Sequence, residues 1–275
     1  MLTDRVWEAL VKSFASQMKS VFTASSFVKE IFTAGYPKLL STIENLLERI
    51  SRDTDVEGVP PALSFEGNEQ MIAAIEIFQT AFLGLCLSRL SDLVNSVFNM
   101  SSRGTVPSKE HISRIISRIQ EGIEAVQMDV RLTLLVLREI SKVLLLLAER
   151  AEYQISTGPE ARQKTGPATP LQIKNFTLSQ HLQEIHARVT SIIARLLTVA
   201  SDILSPALGT IYGVACDSVT PLFQAMLDHL ESCISQIHDQ NFGTLSMDAA
   251  MDNTPGFYLL LALSLQEQKL YAQGL

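Results

Sequence analysis

The chain of 275 residues is poor in cysteine, glycine and proline, and it has no excess of positive charge. Its three cysteines, Cys86, Cys216 and Cys233, are too few for a disulfide scaffold and indicate a reducing compartment. The 13 glycines and 10 prolines are too few for a low-complexity chain. Because the formal net charge is −7, the sequence disfavours both a broad nucleic-acid surface and electrostatic docking on anionic lipid.

Long uncharged apolar runs are missing as well. The most apolar stretch, residues 132–148, is interrupted by Arg138, Glu139 and Lys142, whereas a transmembrane helix needs about 20 largely uncharged residues. The apolar stretch 257–265 is too short to span a bilayer. Charged residues also interrupt the N-terminal stretch, where the apolar part of a signal peptide would lie. We therefore expect no membrane-spanning segment and no secretory signal.

Apolar residues recur at alternating steps of three and four, which is the spacing of one face of an α-helix. The longest such run extends from Ile112 to Ala151. It predicts a single helix about 60 Å long, because each helical residue adds about 1.5 Å. The alternation of period two that is typical of strands is not sustained anywhere. The sequence therefore predicts an all-α fold, an elongated rod or bundle of long amphipathic helices.

Glycine, proline and capping residues predict the helix ends in the first half of the chain. Residues 2–33 form one helical stretch, which the glycine and proline of the segment 35–37 bring to an end. A second stretch covers residues 38–51, and a third covers residues 68–98 with a bend near Gly84. Ser108 is then predicted to cap the N-terminus of the long helix, the role that serine often takes at this position.

The second half of the chain has one clear break. Residues 156–170 are rich in glycine, proline and threonine and predict a loop. Residues 171–204 are predicted to be helical, and Pro206 is predicted to open the last helix, which runs to about His238. Pro221 lies inside that helix and is expected to kink or split it.

Two pairs of metal-ligating residue types lie close together in the sequence, His181 with His186 and His229 with Cys233. His181 and His186 are five residues apart, so their rings diverge by about 140° on a helix, unlike the four-residue spacing of a metalloprotease helix. We interpret them as surface histidines on a solvated face. His229 and Cys233 are four apart, but a structural zinc needs four ligands and the sequence offers no second pair. We interpret Cys233 as a small core residue with His229 at its rim.

The sequence offers no recognisable nucleophile or phosphate-binding loop. A Gly-x-Ser-x-Gly elbow is missing, Cys216 beside Asp217 has no assignable base, and no glycine-rich loop is present. Gly209 and Gly213 are interpreted as sites of close helix packing, and the three cysteines as buried thiols. We therefore predict no catalytic, cofactor-binding or metal-binding residue and no enzymatic activity. A partner is expected to bind a stripe of apolar residues that the packed bundle leaves exposed.

Several short stretches carry a resemblance to a known family. They are Trp-Glu-Ala-Leu at 7–10, Thr-Ala-Ser-Ser-Phe-Val-Lys-Glu-Ile-Phe at 23–32, Tyr-Pro-Lys-Leu-Leu at 36–40 and Leu-Ser-Arg-Leu-Ser-Asp-Leu-Val-Asn-Ser-Val-Phe at 87–98. In their order and spacing the chain closely resembles subunit five of the conserved oligomeric Golgi complex, over about residues 6–242. Members of that family are much longer, so the resemblance implies a truncated or fragment form of a helical-rod tethering subunit.

Composition and resemblance together divide the chain into four parts. Residues 1–52 are expected to be a helical segment that ends an upstream bundle, and residues 53–67 an acidic linker that contains proline. Residues 68–240 are expected to form an α-helical bundle. Residues 241–275 depart from the family pattern and are expected to be an irregular tail.

The resemblance implies a non-catalytic subunit of a Golgi vesicle-tethering complex, which supports retrograde vesicle transport within the Golgi and the retention of glycosylation enzymes. It implies other subunits of the complex as partners, subunit seven first, and SNARE proteins through the complex. It implies no nucleic acid, no cofactor and only peripheral membrane association, at the cytosolic face of the Golgi membrane and in the cytosol. Two alternatives stay open: a helical subunit of a sibling tether such as the exocyst, and a metal- or small-molecule-binding helical bundle.

Overall fold

The computed structural model describes residues 2–54, 65–99, 105–196 and 198–239, and in these residues the regular structure is helical throughout. The α-helices are α1 (Leu2–Ala24), α2 (Ser26–Ala34), α3 (Tyr36–Asp53), α4 (Phe65–Ala73), α5 (Glu76–Val97), α6 (Lys109–Glu124), α7 (Val130–Glu152), α8 (Pro170–Ile193) and α9 (Thr198–Asp239). A short 3₁₀ helix, Pro159–Arg162, lies in the predicted break between α7 and α8. The all-α prediction is confirmed.

The chain divides into two compact units. The first comprises Met1–Ile155 and Thr177–Cys216, and the second comprises Ser156–Phe176 and Asp217–Leu275. The four-part division predicted from the sequence stays a prediction, because most of the linker and the whole tail 241–275 lie outside the described residues.

Helix α5 lies at the centre of the first unit, where it packs against α1, α2, α3, α6 and α7. Helix α6 joins this core through a single stripe of isoleucines, each at most 2% exposed: Ile112, Ile115, Ile116, Ile119 and Ile123. Burying one such side chain fully is worth about 1.5–3 kcal/mol. The stripe is therefore enough to fix which face of α6 points inward.

An aromatic cluster joins the first three helices to α5. The ring of Phe78 in α5 lies 5.3 Å from that of Phe22 and 5.5 Å from that of Phe32, between centroids. The buried Tyr36, at the start of α3, donates a hydrogen bond from its hydroxyl to Oε1 of Gln79, 3.0 Å away. Aromatic pairs at these distances add about 0.5–1.5 kcal/mol each beyond the burial of their area.

The single helix predicted over residues 112–151 is wrong, because α6 ends at Glu124 and α7 begins at Val130. The apolar residues Val126 and Val130 keep the three-and-four spacing across the break, so the periodicity does not reveal it. Residues 125–129 form a turn between the two helices.

Polar side chains hold this turn. The carboxylate of Asp129 accepts a hydrogen bond from the backbone N–H of Leu132, at 2.6 Å, and so caps the N-terminus of α7. The hydroxyl of Thr133 donates to the carbonyl of Val126, at 2.8 Å. These bonds satisfy backbone groups that a helix end leaves without partners, which explains why the chain can turn here.

Three other helix boundaries also differ from the predictions. The stretch 2–33 is broken at Ser25, whose side chain caps α2 by accepting from the N–H of Val28. The stretch 68–98 is broken at residues 74–75, and Gly84 lies inside α5. The helix predicted over residues 171–204 ends at Ile193.

Neither proline of α9 opens or ends the helix. It begins at Thr198, so Pro206 does not open it, and it continues through Pro221 without being split. A proline inside a helix costs about 3 kcal/mol. Around Pro206 the packing of buried Leu204 and Leu208 offsets this cost, because each side chain is at most 4% exposed.

Other boundaries are where the sequence predicted them. Ser108 caps α6 by accepting from the N–H of His111, and α2 ends at Gly35. The φ of Gly35 is −92°, so a left-handed conformation is not the reason for this glycine. A Cβ atom at Gly35 would lie 3.0 Å from the carbonyl oxygen of Ile31, so the close approach of the backbone is what favours glycine.

Two helices in the described part of the chain are long and apolar enough to cross a membrane by length and composition alone: Glu76–Val97 and the segment Thr198–Gln236 of α9. Four apolar residues of the first, Phe78, Phe82, Leu90 and Val94, are buried in the protein's own core. The expectation that no segment crosses a membrane stays a prediction.

A carboxyl pair joins α3 to the turn before α7. Burial and the adjacent carboxylate of Asp129 raise the pKa of Glu44, and the two side chains are hydrogen-bonded. Burial, together with the charges of Asp129 and Glu44, raises the pKa of Tyr36 to about 12, so its phenol keeps the proton that it donates to Gln79.

We predict that Asp129→Ala lowers the free energy of unfolding by about 1 kcal/mol, because the first turn of α7 loses its cap. Urea unfolding followed by circular dichroism measures this loss. Asp129→Asn is the matched control and should be no less stable than the parent chain, since asparagine caps equally well and the substitution also removes the charge that faces Glu44. An equal loss in both variants would contradict the capping role.

We also predict that Glu44→Gln stabilises the chain at neutral pH and gives little or no gain at low pH. Because the folded state raises the pKa of Glu44, its contribution to stability is complete below the unfolded-state pKa and is lost as the pH rises through the folded-state pKa. Unfolding free energies from pH 4 to pH 8 measure the difference between variant and parent. In an Asp129→Asn background the difference should shrink, and an unchanged difference there would rule out the carboxyl pair as its cause.

Candidate interaction surface

The histidines of α8 do not lie on a solvated face, so that interpretation is wrong. His181 is 9% exposed and its ring hydrogen-bonds to the backbone of Pro107. Burial lowers the pKa of His181, partly offset by this bond. His186 is half-buried, with its ring 5.6 Å from that of Tyr212 in α9. Both rings therefore serve packing within the first unit.

His229 and Cys233 do lie on one face of α9, as their spacing predicts. The Sγ of Cys233 is 3.9 Å from Nε2 of His229, and both residues are half-buried, so Cys233 is not a core residue. Among the described residues there is no group of three or more His, Cys, Asp and Glu side chains that could hold a metal ion. The prediction of no metal, cofactor or catalytic residue stays a prediction.

The predictions for the other cysteines and for the glycine pair are also wrong. Cys216 is exposed and Cys86 is half-buried, so the cysteines are not a set of buried thiols. Gly209 and Gly213 do not mark close helix packing, because a Cβ atom added at either would meet open space.

The first unit has a groove of about 670 Å³ between α5, α6 and α7. Its floor includes the buried Phe82 and Ile140, and its rim carries charges of both signs: Arg89, Asp92, Arg114, Arg118 and Glu121. Burial raises the pKa of the Cys86 thiol in this groove, although Arg89 lowers it, so a reactive thiolate is not favoured. The mixed charges do not select one class of ligand.

In the second unit, local hydrogen bonds hold the segment that leads into α8. The side chain of Asn175 pairs with the backbone of Ser156, accepting from its N–H at 3.0 Å and donating to its carbonyl at 2.8 Å. The amide of Gln172 donates to the carbonyl of Gln163, at 2.7 Å, and the hydroxyl of Thr169 accepts from the N–H of Gln172. These partly buried hydrogen bonds give the first turns of α8 a fixed position in this unit.

The C-terminal half of α9 exposes an apolar stripe. Phe223, Leu227 and Ile234 are 51%, 54% and 62% exposed, and Leu230 between them is half-buried. We call these four residues the Phe223 seam. The ring of Phe223 meets that of Phe176 in α8 edge to face, with 6.4 Å between centroids. The seam is thus the kind of leftover apolar stripe that the sequence led us to expect, at residues that the sequence did not identify.

The Asp and Glu residues in the part of α9 that carries the seam have no lysine or arginine among them. Helix residues 217–239 contain Asp217, Asp228, Glu231 and Asp239 but neither lysine nor arginine. Asp228 accepts a hydrogen bond from the side chain of Gln224, at 2.8 Å, on the exposed surface of the helix. The seam is therefore an apolar strip on an acidic helix.

Comparisons with known proteins confirm the resemblance. Residues 1–47 match a family model described as "Conserved oligomeric Golgi complex subunit 5, C-terminal". The chain is 68% identical over 259 residues to "Conserved oligomeric Golgi complex subunit 5" of Arabidopsis thaliana, a match that covers 94% of this chain and 31% of the relative. It is 25% identical over 278 residues to the protein of the same description from Mus musculus, covering 90% of this chain and 33% of the relative.

The chain therefore spans about a third of the length of the curated relatives that it matches. No solved structure matches it.

We predict that Leu227→Ala changes the free energy of unfolding by less than about 0.5 kcal/mol, whereas Leu204→Ala lowers it by about 2–5 kcal/mol. Both leucines lie in α9, but Leu204 is fully buried and Leu227 is 54% exposed. Denaturant unfolding of the two variants provides the comparison. A loss at Leu227 as large as that at Leu204 would mean that the folded chain already buries the seam.

Proposed function

We propose that the chain acts as part of a non-catalytic subunit of the conserved oligomeric Golgi complex, a vesicle tether. The observation that carries this proposal is the 68% identity to the Arabidopsis subunit over 94% of the chain. At that level of identity the two chains share their helices and most of their surface, so the contacts made by this region of the relative are the best guide to contacts here.

The proposed role is capture of retrograde transport vesicles within the Golgi, which keeps glycosylation enzymes in their cisternae. The proposed location is the cytosolic face of the Golgi membrane, with peripheral association only, and the cytosol. A net charge of −7 supports attachment through proteins in preference to direct docking on anionic lipid.

Other subunits of the complex are the proposed partners, subunit seven first, and SNARE proteins through the assembled complex. Helical surfaces support this mode of action. A chain that offers several apolar and charged helix faces can make several weak contacts at once, and their combined avidity exceeds that of each contact alone.

An enzymatic role is not part of the proposal. His181 is engaged in packing, and burial raises the pKa of the Cys86 thiol. Elemental analysis of the purified chain addresses the metal-binding alternative, which stoichiometric zinc would favour.

We predict that the tagged full chain, captured from cytosol, recovers other subunits of the Golgi complex, with subunit seven the most enriched. The matched control is a Leu137→Asp variant, whose core leucine is fully buried, and it should recover none because a charge in the core unfolds the chain. Mass spectrometry identifies the recovered proteins. Recovery of none by a chain shown to be folded would contradict assembly through these residues, and recovery of exocyst subunits instead would favour the sibling tether.

A further inference from the structure

We propose that the Phe223 seam binds one amphipathic helix of another protein, with apolar residues at heptad spacing and lysine or arginine on the flank that meets Glu231. The inference rests on the proposed function only in taking the partner to be a helical protein. Its argument comes from the spacing, exposure and charge of α9.

The spacing fits a helical partner. The seam residues follow one another at steps of four, three and four, so Phe223 and Leu230, and likewise Leu227 and Ile234, are seven residues apart, which is two helical turns at 3.5 residues each. That period keeps the same apolar side chains facing a second helix as the two wind around each other. The seam runs from Phe223 to Ile234, twelve residues whose ends lie about 16 Å apart at 1.5 Å per residue, so it offers about three turns of contact.

The exposure indicates that the seam is free in the described structure. The same half of α9 buries Ala225 and Ser218, so the helix is already packed on another side. Its exposed side continues across the ring contact from Phe223 to Phe176, which is itself 38% exposed. Apolar side chains gathered on one surface in this way mark an interaction site more often than single exposed residues do.

The charge selects the partner. Asp228 directly follows Leu227 and Glu231 directly follows Leu230, so at about 100° per residue both carboxylates lie on the same side of the seam, with Glu231 nearer to it. Because no lysine or arginine lies in residues 217–239, these carboxylates have no cationic neighbour along this part of α9. In the described part of the second unit the lysines and arginines are Arg162, Lys164 and Lys174, all in the segment 156–176. A basic helix gains charge complementarity at the seam, and an acidic one is repelled.

The same charges disfavour the other occupants. A second copy of the seam would bring two acidic flanks together, and an anionic bilayer would repel them. Residues 240–275 contain the apolar stretch 257–265 but carry three acidic residues and one lysine, so they do not complement the flanks either. Each of these occupants is a separate outcome of the test.

The probe is a synthetic helical peptide of four heptads, with leucine at the a and d positions and lysine at the e and g positions. The matched probe has glutamate in place of lysine. Binding of both to the full chain is measured by fluorescence anisotropy at low and at high salt. We expect the lysine peptide to bind at least about tenfold more tightly than the glutamate peptide, with the preference falling as salt screens the charges.

Three variants of the full chain locate the contact. Leu227→Asp should weaken binding of the lysine peptide at least about tenfold, and Leu145→Asp, at a leucine of similar exposure in α7, should leave it unchanged. Asp228→Lys combined with Glu231→Lys should reverse the preference between the peptides. Circular dichroism confirms that each variant is folded before binding is measured.

Other results would overturn the proposal. Equal binding of the two peptides, or binding that Leu227→Asp does not affect, would remove the basis in charge or in the seam. Dimerisation that Leu227→Asp abolishes would assign the seam to a second copy, and flotation with anionic vesicles that it abolishes would assign it to a membrane. Tighter peptide binding after Leu260→Asp with Leu261→Asp would assign it to the chain's own C-terminal segment. Because the peptide assay does not involve the Golgi complex, its failure is distinct from a failure of the capture experiment.

Discussion

The turn at residues 125–129 is the feature on which the core of the first unit depends. It separates two helices that both carry strong apolar stripes, and both of them pack against α5. A continuous helix of that length would carry the stripe of its second half away from α5. The cap from Asp129 and the hydrogen bond from Thr133 to Val126 stabilise the turn, because they satisfy the backbone groups that the break exposes.

The sequence was enough to predict that the chain is helical, but not where many of the helices end. Periodicity reports only that apolar residues return every three or four positions, and a short turn can preserve that count. Ser108 was identifiable as a cap because an irregular stretch precedes it, whereas Asp129 sits between two apolar runs with no glycine or proline beside it. Pro206 lies inside α9 although proline predicts a helix start, since local propensity at a proline gives way when the surrounding helix is well packed. The helix also continues through Pro221.

The candidate surface could not be located from the sequence for a related reason. Helix α9 is apolar along both halves, yet Leu204, Leu208 and Ile211 are buried while Phe223 and Leu227 are about half exposed. Exposure depends on what packs against each half, and the sequence of the helix does not contain that information. The charges of the two halves do differ, because residues 198–216 contain one acidic residue and residues 217–239 contain four, with no lysine or arginine in either half. The four acidic residues are the sequence feature that marks the second half, and apolar periodicity alone does not reveal it.

An acidic border on an apolar strip determines how such a strip can be used. Apolar contact supplies most of the attraction but discriminates poorly, since any exposed apolar helix satisfies it. The carboxylates add the discrimination by repelling acidic helices, and they speed the approach of basic ones. A contact only three turns long is modest in strength by itself, which suits a protein whose binding is built from several such contacts. The seam is best understood as one selective contact among several, with its charge deciding which helix it accepts.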